Sequence, residues 1–196
     1  MKTVLFIFPR NIFPIIGGDQ IRAAQFLKLL ILRYKVFVLY LSNKKEKDDY
    51  LKKYIPELLG SKCIETKISG CILRMFKTLI NHLPFQVNYY SSKDLRKYLI
   101  ENYTHYDIIF SGNPRVSKDI LNLDTYKVVD FVDAASMNCY NAKKRSRGLK
   151  RVFYTIEYYL MRNYEILLLN KFDRCSIISK VDKQFIDHYE QSLHSK

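Results

Sequence analysis

The sequence has no tryptophan and few of the residues that interrupt regular structure, with six glycines and five prolines among 196 residues. Collagen-like and linker-rich chains need far more glycine and proline, and repeat architectures such as propellers need a sequence period that is not present. Hydrophobic residues make up 48% of the chain, which is enough to bury a sizeable core and excludes a disordered protein. A compact globular domain is the class that remains.

Cysteine is also scarce. The four cysteines are Cys63, Cys71, Cys139 and Cys175. They form no C-x-x-C pair, and no histidine stands at metal-ligand spacing from them, so the sequence predicts neither a metal site nor a disulfide framework. The four histidines belong to no recognisable catalytic constellation. A reducing, cytoplasmic environment is expected.

Long hydrophobic runs are missing as well. No stretch approaches the roughly 18 consecutive apolar residues that a membrane-spanning helix needs. The apolar opening at residues 1–8 ends at Pro9 and Arg10 without a small-residue cleavage site, which favours a buried strand over a signal peptide.

Acidic residues are the remaining deficit, with 19 Asp and Glu against 33 Lys and Arg, a formal net charge of +14. Such an excess favours anionic partners. The sequence contains no RNP-type aromatic motif, no GXXG loop and no helix-turn-helix signature, so nucleic acid is not an expected partner.

Short apolar runs alternate with stretches of helical periodicity along the whole chain. The runs that predict strands are residues 4–8, 36–41, 63–68, 107–110, 127–132 and 175–178. Helices are predicted at residues 19–33, 73–81, 91–102, 116–121, 149–168 and 182–189. The β-α-β opening requires parallel strands and a right-handed crossover. The fold class predicted is therefore α/β, with a Rossmann-like, mostly parallel sheet flanked by helices, as a single domain over residues 1–196.

Ligands of such sheets bind at the carboxyl ends of the strands, which directs attention to the first loop. It runs from Pro9 to the adjacent glycines Gly17 and Gly18 and leads into a helix at Asp19. Paired glycines let backbone amides approach a ligand, and the helix N-terminus favours phosphate or sugar oxygens. The loop is not a G-x-G-x-x-G fingerprint, which disfavours a nicotinamide cofactor. The alternative is a simple turn before a helix capped by Asp19.

Two later loops end at the same predicted edge of the sheet. Alternation along the fifth strand turns Asp133 outwards, where a carboxylate can orient a hydroxyl or stabilise positive charge developing on a sugar ring. Its alternative is a carboxylate that only satisfies the loop. After the fourth strand, Asn113 and Arg115 can line the same cleft, although Asn before Pro114 is also an ordinary helix start.

Basic residues are densest at residues 143–151, ahead of the long aromatic-rich helix. A run of this kind attracts anionic lipid head groups or phosphates, at about 1 kcal/mol per charge near a membrane surface. A solvated loop is the alternative.

Taken together, four segments resemble the N-terminal half of retaining GT-B glycosyltransferases, most closely the family 4 sugar transferases of bacterial surface-polysaccharide assembly. They are FPRNIFPIIGGDQIRAAQFLKLL at residues 8–30, LPFQV at 83–87, VVDFVDAAS at 128–136 and FDRCSIISKVDKQFI at 172–186. The likeness runs over nearly the whole chain, and the ordered set of segments is more specific than any one of them.

The resemblance implies an acceptor-side domain for a glycan or lipid-linked acceptor, in an enzyme that uses a nucleotide-sugar as co-substrate and needs no other cofactor. It places the Gly-Gly loop at the interdomain cleft and makes Asp133 the catalytic carboxylate. The substrate-binding residues expected are Gly17, Gly18, Asp19, Arg22, Asn113, Arg115 and Ser136. Family members often carry Asp-x-Asp-Ser where this chain has Asp133-Ala134-Ala135-Ser136, so the second carboxylate is missing.

The donor-binding C-terminal half of that family has no counterpart in the 196 residues. We therefore expect a chain that is inactive alone and works with a donor-binding domain in trans. A rival hypothesis is a non-catalytic membrane-surface or protein-interaction domain, placed in the cytoplasm at the inner face of the membrane by the basic run. A third is a nucleotide-binding regulator.

Overall fold

The structure, a computed structural model, describes residues 1–194, with side-chain surroundings for residues 1–188. Six strands form one sheet: β1 (Thr3–Phe8), β2 (Lys35–Ser42), β3 (Gly60–Glu65), β4 (Ile108–Ser111), β5 (Tyr126–Asp130) and β6 (Arg174–Ser176). The helices are α1 (Gly18–Leu30), α2 (Ile68–Met75), α3 (Thr78–Asn81), α4 (Phe85–Tyr90), α5 (Lys93–Asn102), α6 (Ala135–Arg145), α7 (Gly148–Lys171) and α8 (Lys180–His194).

The strands lie in the order β3-β2-β1-β4-β5-β6, and every neighbouring pair is parallel. The predicted Rossmann-like α/β fold is thereby confirmed. The strand order reverses direction between β1 and β4, and this reversal is the position at which open parallel sheets form their crevice.

Both faces of the sheet are covered, which explains why the strands appear in the sequence as nearly continuous apolar runs. In β1, Leu5 and Ile7 point into a core shared with α5, α6 and α7, whereas Val4, Phe6 and Phe8 face the core beneath α1. All five side chains are fully buried. The two cores are therefore separated by the sheet itself.

Several predicted boundaries differ from the structure. The third strand ends at Glu65, and Ile68 already begins α2. The stretch predicted as a helix at 116–121 forms two short 3-10 turns, Pro114–Val116 and Lys118–Ile120. Helices α4 and α6 were not predicted, because their buried positions hold small or polar residues such as Asn88 and Ser136 in place of a regular apolar stripe.

The basic run at residues 143–151 is helical over most of its length. Lys143, Lys144 and Arg145 form the last turn of α6, where cations interact favourably with the helix dipole, and α7 begins at Gly148. The ammonium group of Lys144 lies 4.3 Å from the centre of the Tyr140 ring. The predicted long helix is present as α7.

Helix α7 is fixed by two buried glutamates that cap its neighbours. The Glu157 carboxylate accepts hydrogen bonds from the backbone N–H groups of Phe85 (2.8 Å) and Gln86 (3.1 Å) at the start of α4. Glu165 accepts from the Ser136 backbone N–H (3.0 Å) and from the Ser136 hydroxyl (2.5 Å) at the start of α6. Both carboxylates are only 1% exposed. They satisfy amides that have no partner within their own helices.

Burial raises the pKa of Glu165 from 4.5 to about 7, against the opposing effect of the Ser136 and Ala135 hydrogen bonds. Between pH 4.5 and about 7, Glu165 therefore keeps a proton in the native state that the same carboxyl has already released in the unfolded chain. Stability is therefore expected to fall by about 3 kcal/mol as the pH rises through this window. Glu165→Gln, which stays uncharged, should flatten this part of the profile, as measured by urea unfolding across a pH series.

The matched control is Glu101→Gln, at an exposed carboxylate on α5. It should leave the pH dependence of unfolding as in the unchanged chain. Identical slopes for Glu165→Gln and the unchanged chain would contradict the assignment of this pH dependence to Glu165.

Candidate functional site

A cleft of about 610 Å³ lies at the carboxyl edge of the sheet, where the strand order reverses. Its walls come from the loops after β1, β4, β5 and β6, from the N-terminus of α1, and from Tyr90 at the end of α4. The residues that line it are Pro9, Arg10, Gly18, Asp19, Tyr90, Asn113, Arg115, Val132, Asp133, Ile178, Ser179 and Asp182. The cleft is therefore assembled from four strand ends that are distant in sequence.

The two glycines of the first loop have different surroundings. Gly17 is the residue that caps α1, and its carbonyl accepts the N–H groups of Gln20 and Ile21, both at 3.1 Å. A Cβ added to Gly17 would lie 2.8 Å from the Arg10 guanidinium, whereas a Cβ added to Gly18 would meet nothing within 4 Å. Gly18 is therefore the glycine that leaves open space in the cleft.

Gln20 holds the glycine loop in shape, a role that the sequence analysis did not assign. Its side-chain oxygen accepts from the N–H groups of Ile16 and Gly17, both at 2.9 Å, and its side-chain nitrogen donates to the carbonyls of Asn11 (2.8 Å) and Pro14 (3.3 Å). Gln20 is buried. One buried amide thus replaces the regular backbone hydrogen bonds that this long loop lacks.

The alternative interpretation of the loop expected Asp19 to cap α1. Asp19 does not cap this helix, because it lies within the first turn. It forms a two-pronged ion pair with Arg10, whose Nη2 contacts Oδ1 and whose Nε donates to Oδ2 at 3.1 Å. A planar guanidinium and a carboxylate match in this geometry. The pair joins the end of β1 to the start of α1 at the wall of the cleft.

Arg22 lies one turn further along α1 and is directed to a different carboxylate, Asp130. The Arg22 Nε lies 2.5 Å from Asp130 Oδ2, and Arg22 Nη2 lies 2.6 Å from Oδ1. The Ser176 hydroxyl donates to Oδ1 as well, at 2.6 Å. Asp130 is buried at the last position of β5, beneath the cleft. Arg22 is thus part of the support of the site and does not line it.

Asp130 carried a signal in the sequence, because an acidic residue within an apolar strand run must be paired when it is buried. The residue of this segment that the sequence pattern predicts for the site is Asp133. The cation that could have identified the pair is Arg22. It lies on the polar side of the helix predicted between the first two strands.

The loop after β4 brings Asn113 and Arg115 into the cleft together. The Asn113 side-chain oxygen accepts the Arg115 backbone N–H at 3.0 Å and starts a short 3-10 turn, as the alternative interpretation also expected. The Arg115 side chain donates from Nε to the Gln86 oxygen at 2.9 Å. One side of the guanidinium is therefore anchored by α4 while the residue lines the cleft.

The loop after β5 presents Asp133 to the cleft as an exposed carboxylate that accepts a hydrogen bond from Asn138 at 2.9 Å. It follows Val132, whose φ of 59° is in the left-handed region that a β-branched residue rarely adopts. Asp182, from the start of α8, lines the same wall and accepts the Ala134 N–H at 3.1 Å. Two carboxylates therefore stand together at this side of the cleft.

Ser136 is separated from the cleft, because it is fully buried and its hydroxyl is directed to Glu165. Of the eight predicted site residues, five line the cleft: Gly18, Asp19, Asn113, Arg115 and Asp133. Gly17 lies directly behind it, and Arg22 and Ser136 are engaged in buried hydrogen bonds. Tyr90, Ser179 and Asp182 line the cleft but were not predicted.

A second pocket of about 340 Å³ shares Pro9, Arg10 and Tyr90 with the cleft and extends towards the ends of β2 and β3. Its polar lining includes Asn11, Gln20, Ser42, Asn43 and Thr66. The two spaces together form a depression of mixed polar and apolar lining along the carboxyl edge of the sheet. Amide, hydroxyl and carboxylate groups in this arrangement are suited to hydroxyl-rich ligands, because each can accept or donate a hydrogen bond.

Among residues 1–188, whose side-chain surroundings the structure describes, no group of three or more His, Cys, Asp or Glu side chains is arranged to hold a metal ion. Across residues 1–194, none of the helices combines the length and apolar character needed to cross a membrane. Comparison with known proteins gives no match to a protein-family model and none to a curated protein.

Asp130→Ala should lower the free energy of unfolding by about 3 kcal/mol, because it leaves Arg22 and the Ser176 hydroxyl without their shared acceptor. Urea unfolding measures the change. The matched control is Asp133→Ala, three residues further on and exposed, for which a change within about 0.5 kcal/mol is expected. Equal losses for the two variants would contradict the structural role given to Asp130.

Proposed function

We propose that this chain is the acceptor-side domain of a GT-B glycosyltransferase related to family 4, which holds a glycan or lipid-linked acceptor for transfer from a nucleotide-sugar. The observation that supports it most directly is a single cleft at the reversal of strand order, where four strand ends meet the start of α1 and the space beside Gly18 is empty. This is the geometry in which parallel α/β sheets bind ligands.

The cleft offers complementary groups for a saccharide. Asp133 and Asp182 accept hydrogen bonds from sugar hydroxyls, and the Asn113 amide and Arg115 guanidinium stand on the neighbouring loop. The backbone at Gly18 is uncovered, so a hydroxyl or phosphate oxygen can approach the N-terminus of α1 without a side chain in between. In this proposal Asp133 orients an acceptor hydroxyl in the cleft, and a donor-binding domain closes the cleft from the opposite side.

Gly18→Val tests the open backbone. The added side chain points into empty space, so the fold should persist with little change in thermal midpoint, while the valine methyl groups occupy the room a sugar would take. We expect about a tenfold weaker saccharide affinity, or about 1.4 kcal/mol. The best-binding oligosaccharide would be identified on an array of bacterial surface glycans, and calorimetry would measure its affinity.

Gly18→Ala is the graded control, since a single methyl group should give a smaller loss than valine. Saccharide binding that is equally strong in all three proteins would contradict the role of Gly18. Tight nucleotide binding by this chain with no saccharide binding would instead favour the nucleotide-binding regulator.

Asp133→Asn tests the exposed carboxylate. An amide keeps the size of the side chain but replaces one acceptor oxygen by a donor. Binding of the same oligosaccharide should therefore weaken by about tenfold or more, as expected for the loss of one hydrogen bond to a charged group. Asp124→Asn provides the matched control, because Asp124 is exposed just before β5, at the opposite edge of the sheet. Equal affinities for the two variants would exclude Asp133 from saccharide binding.

A further inference from the structure

Helices α2 and α3 carry their large apolar side chains on the outside. The exposed members are Ile68, Ile72, Leu73, Phe76, Leu79 and Ile80, which we call the α2–α3 surface. Leu73, Leu79 and Ile80 are 71%, 74% and 83% exposed. The residues that these helices bury are Cys71 and Thr78. A helix that packs on a protein core shows the opposite arrangement.

Polar contacts attach this pair of helices to the rest of the molecule. Asn88 of α4 donates to the Thr78 hydroxyl at 2.9 Å and to the Asn81 side-chain oxygen at 3.1 Å, and Asn81 donates back to Asn88 at 3.0 Å. Arg74 of α2 donates to the Tyr89 carbonyl of α4 at 3.5 Å. The hydrogen-bonding side chains are thus used for internal attachment, and the apolar side chains remain outside.

Positive charge predominates around the α2–α3 surface, where Glu65 and Asp94 share a pocket with Lys67, Arg74 and Lys77. Residues 66–93 contain no Asp or Glu and include Lys67, Arg74, Lys77 and Lys93. A second carboxylate-free stretch, residues 134–156, holds the basic run and the exposed apolar start of α7. Phe85 of α4 packs against Phe153 of α7 with ring centres 5.0 Å apart, and α4 also packs against α2. The two basic and apolar segments are therefore connected through α4.

We propose that the α2–α3 surface docks on an anionic lipid bilayer, with its leucine, isoleucine and phenylalanine side chains entering the boundary between head groups and acyl chains. Lys67 and Lys77 then lie at the level of the lipid phosphates. Exposed apolar residues flanked by lysines are typical of helices that lie in the membrane interface, whereas lysine is depleted from interfaces between proteins. The docking does not depend on sugar transfer. Its principal membrane contact is the α2–α3 surface, which lies outside the basic run at residues 143–151.

Sedimentation with vesicles tests the surface directly. The full chain should bind vesicles of equal parts phosphatidylcholine and phosphatidylglycerol and should bind phosphatidylcholine vesicles much more weakly. Leu79→Ser combined with Ile80→Ser should lower the partition coefficient at least about tenfold, because both side chains lose their transfer into the lipid. Lys67→Gln and Lys77→Gln should each lower it about fivefold, and less at high salt.

The matched control is Leu29→Ser combined with Leu32→Ser, which removes two exposed leucines at the end of α1. Its partition coefficient should equal that of the unchanged chain. Equal losses for the two double variants, or no binding to anionic vesicles, would overturn the proposal. Binding that survives the Leu79 and Ile80 changes and is lost on neutralising residues 143–151 would also overturn it and would assign membrane contact to the basic run.

The absence of tryptophan allows a second readout. Ile80→Trp places a single indole on the α2–α3 surface, and its emission should shift to shorter wavelength when anionic vesicles are added. Leu32→Trp should show no shift. A contrary outcome is a shift in the emission of Ile80→Trp when only the protein concentration is raised, without vesicles and with a change in oligomeric state. In that outcome the surface contacts a second copy of the chain and the lipid assignment is wrong.

Discussion

The carboxylate of Asp130 is the constraint on which the candidate site depends. A charge buried at the end of a strand is stable only when it is paired, and this one joins Arg22 of α1 to Ser176 of β6 across the end of β5. The three elements that carry the glycine loop, the Asp133 loop and the Ser179 loop are thereby held at fixed distances. The exposed side chains of the cleft can then differ in chemistry without changing the relative positions of α1, β5 and β6.

A second set of buried carboxylates positions the wall of the cleft that carries Tyr90, Asn113 and Arg115. Glu157 and Glu165 lie on one side of α7 and cap α4 and α6. Helix α4 in turn carries Gln86, which holds Arg115, and Tyr90, which lines the cleft. The long helix therefore acts on the site through helix N-termini, although none of its own residues lines the cleft. Tyr164 adds a hydrogen bond to the Pro114 carbonyl at 3.2 Å, on the loop that bears Asn113 and Arg115.

The central strands β1 and β2 were predictable because burial on both faces leaves them as apolar runs, and the parallel β-α-β unit that they form indicates which edge of the sheet carries the cleft. The contacts between side chains were harder to predict from the sequence. Asp130 and Asp133 lie three positions apart, and only the three-dimensional contact with Arg22 distinguishes the buried carboxylate from the exposed one. Ser136 was expected in the site because the start of α6 was not recognised, and that helix turns it towards Glu165. Helices α4 and α6 lack the apolar periodicity on which the prediction relied.

The polar attachment of α2 and α3 has a thermodynamic consequence. Releasing most surface helices exposes their apolar face to water, which raises the heat capacity of the open form and gives the opening a curved temperature dependence. Here the groups newly exposed would be the amides of Asn81 and Asn88, the hydroxyl of Thr78 and the small Cys71 side chain, while Leu73, Leu79 and Ile80 already face solvent. Local opening of this helix pair would therefore involve little change in heat capacity and would follow a nearly linear temperature course, unlike the unfolding of the sheet beneath it.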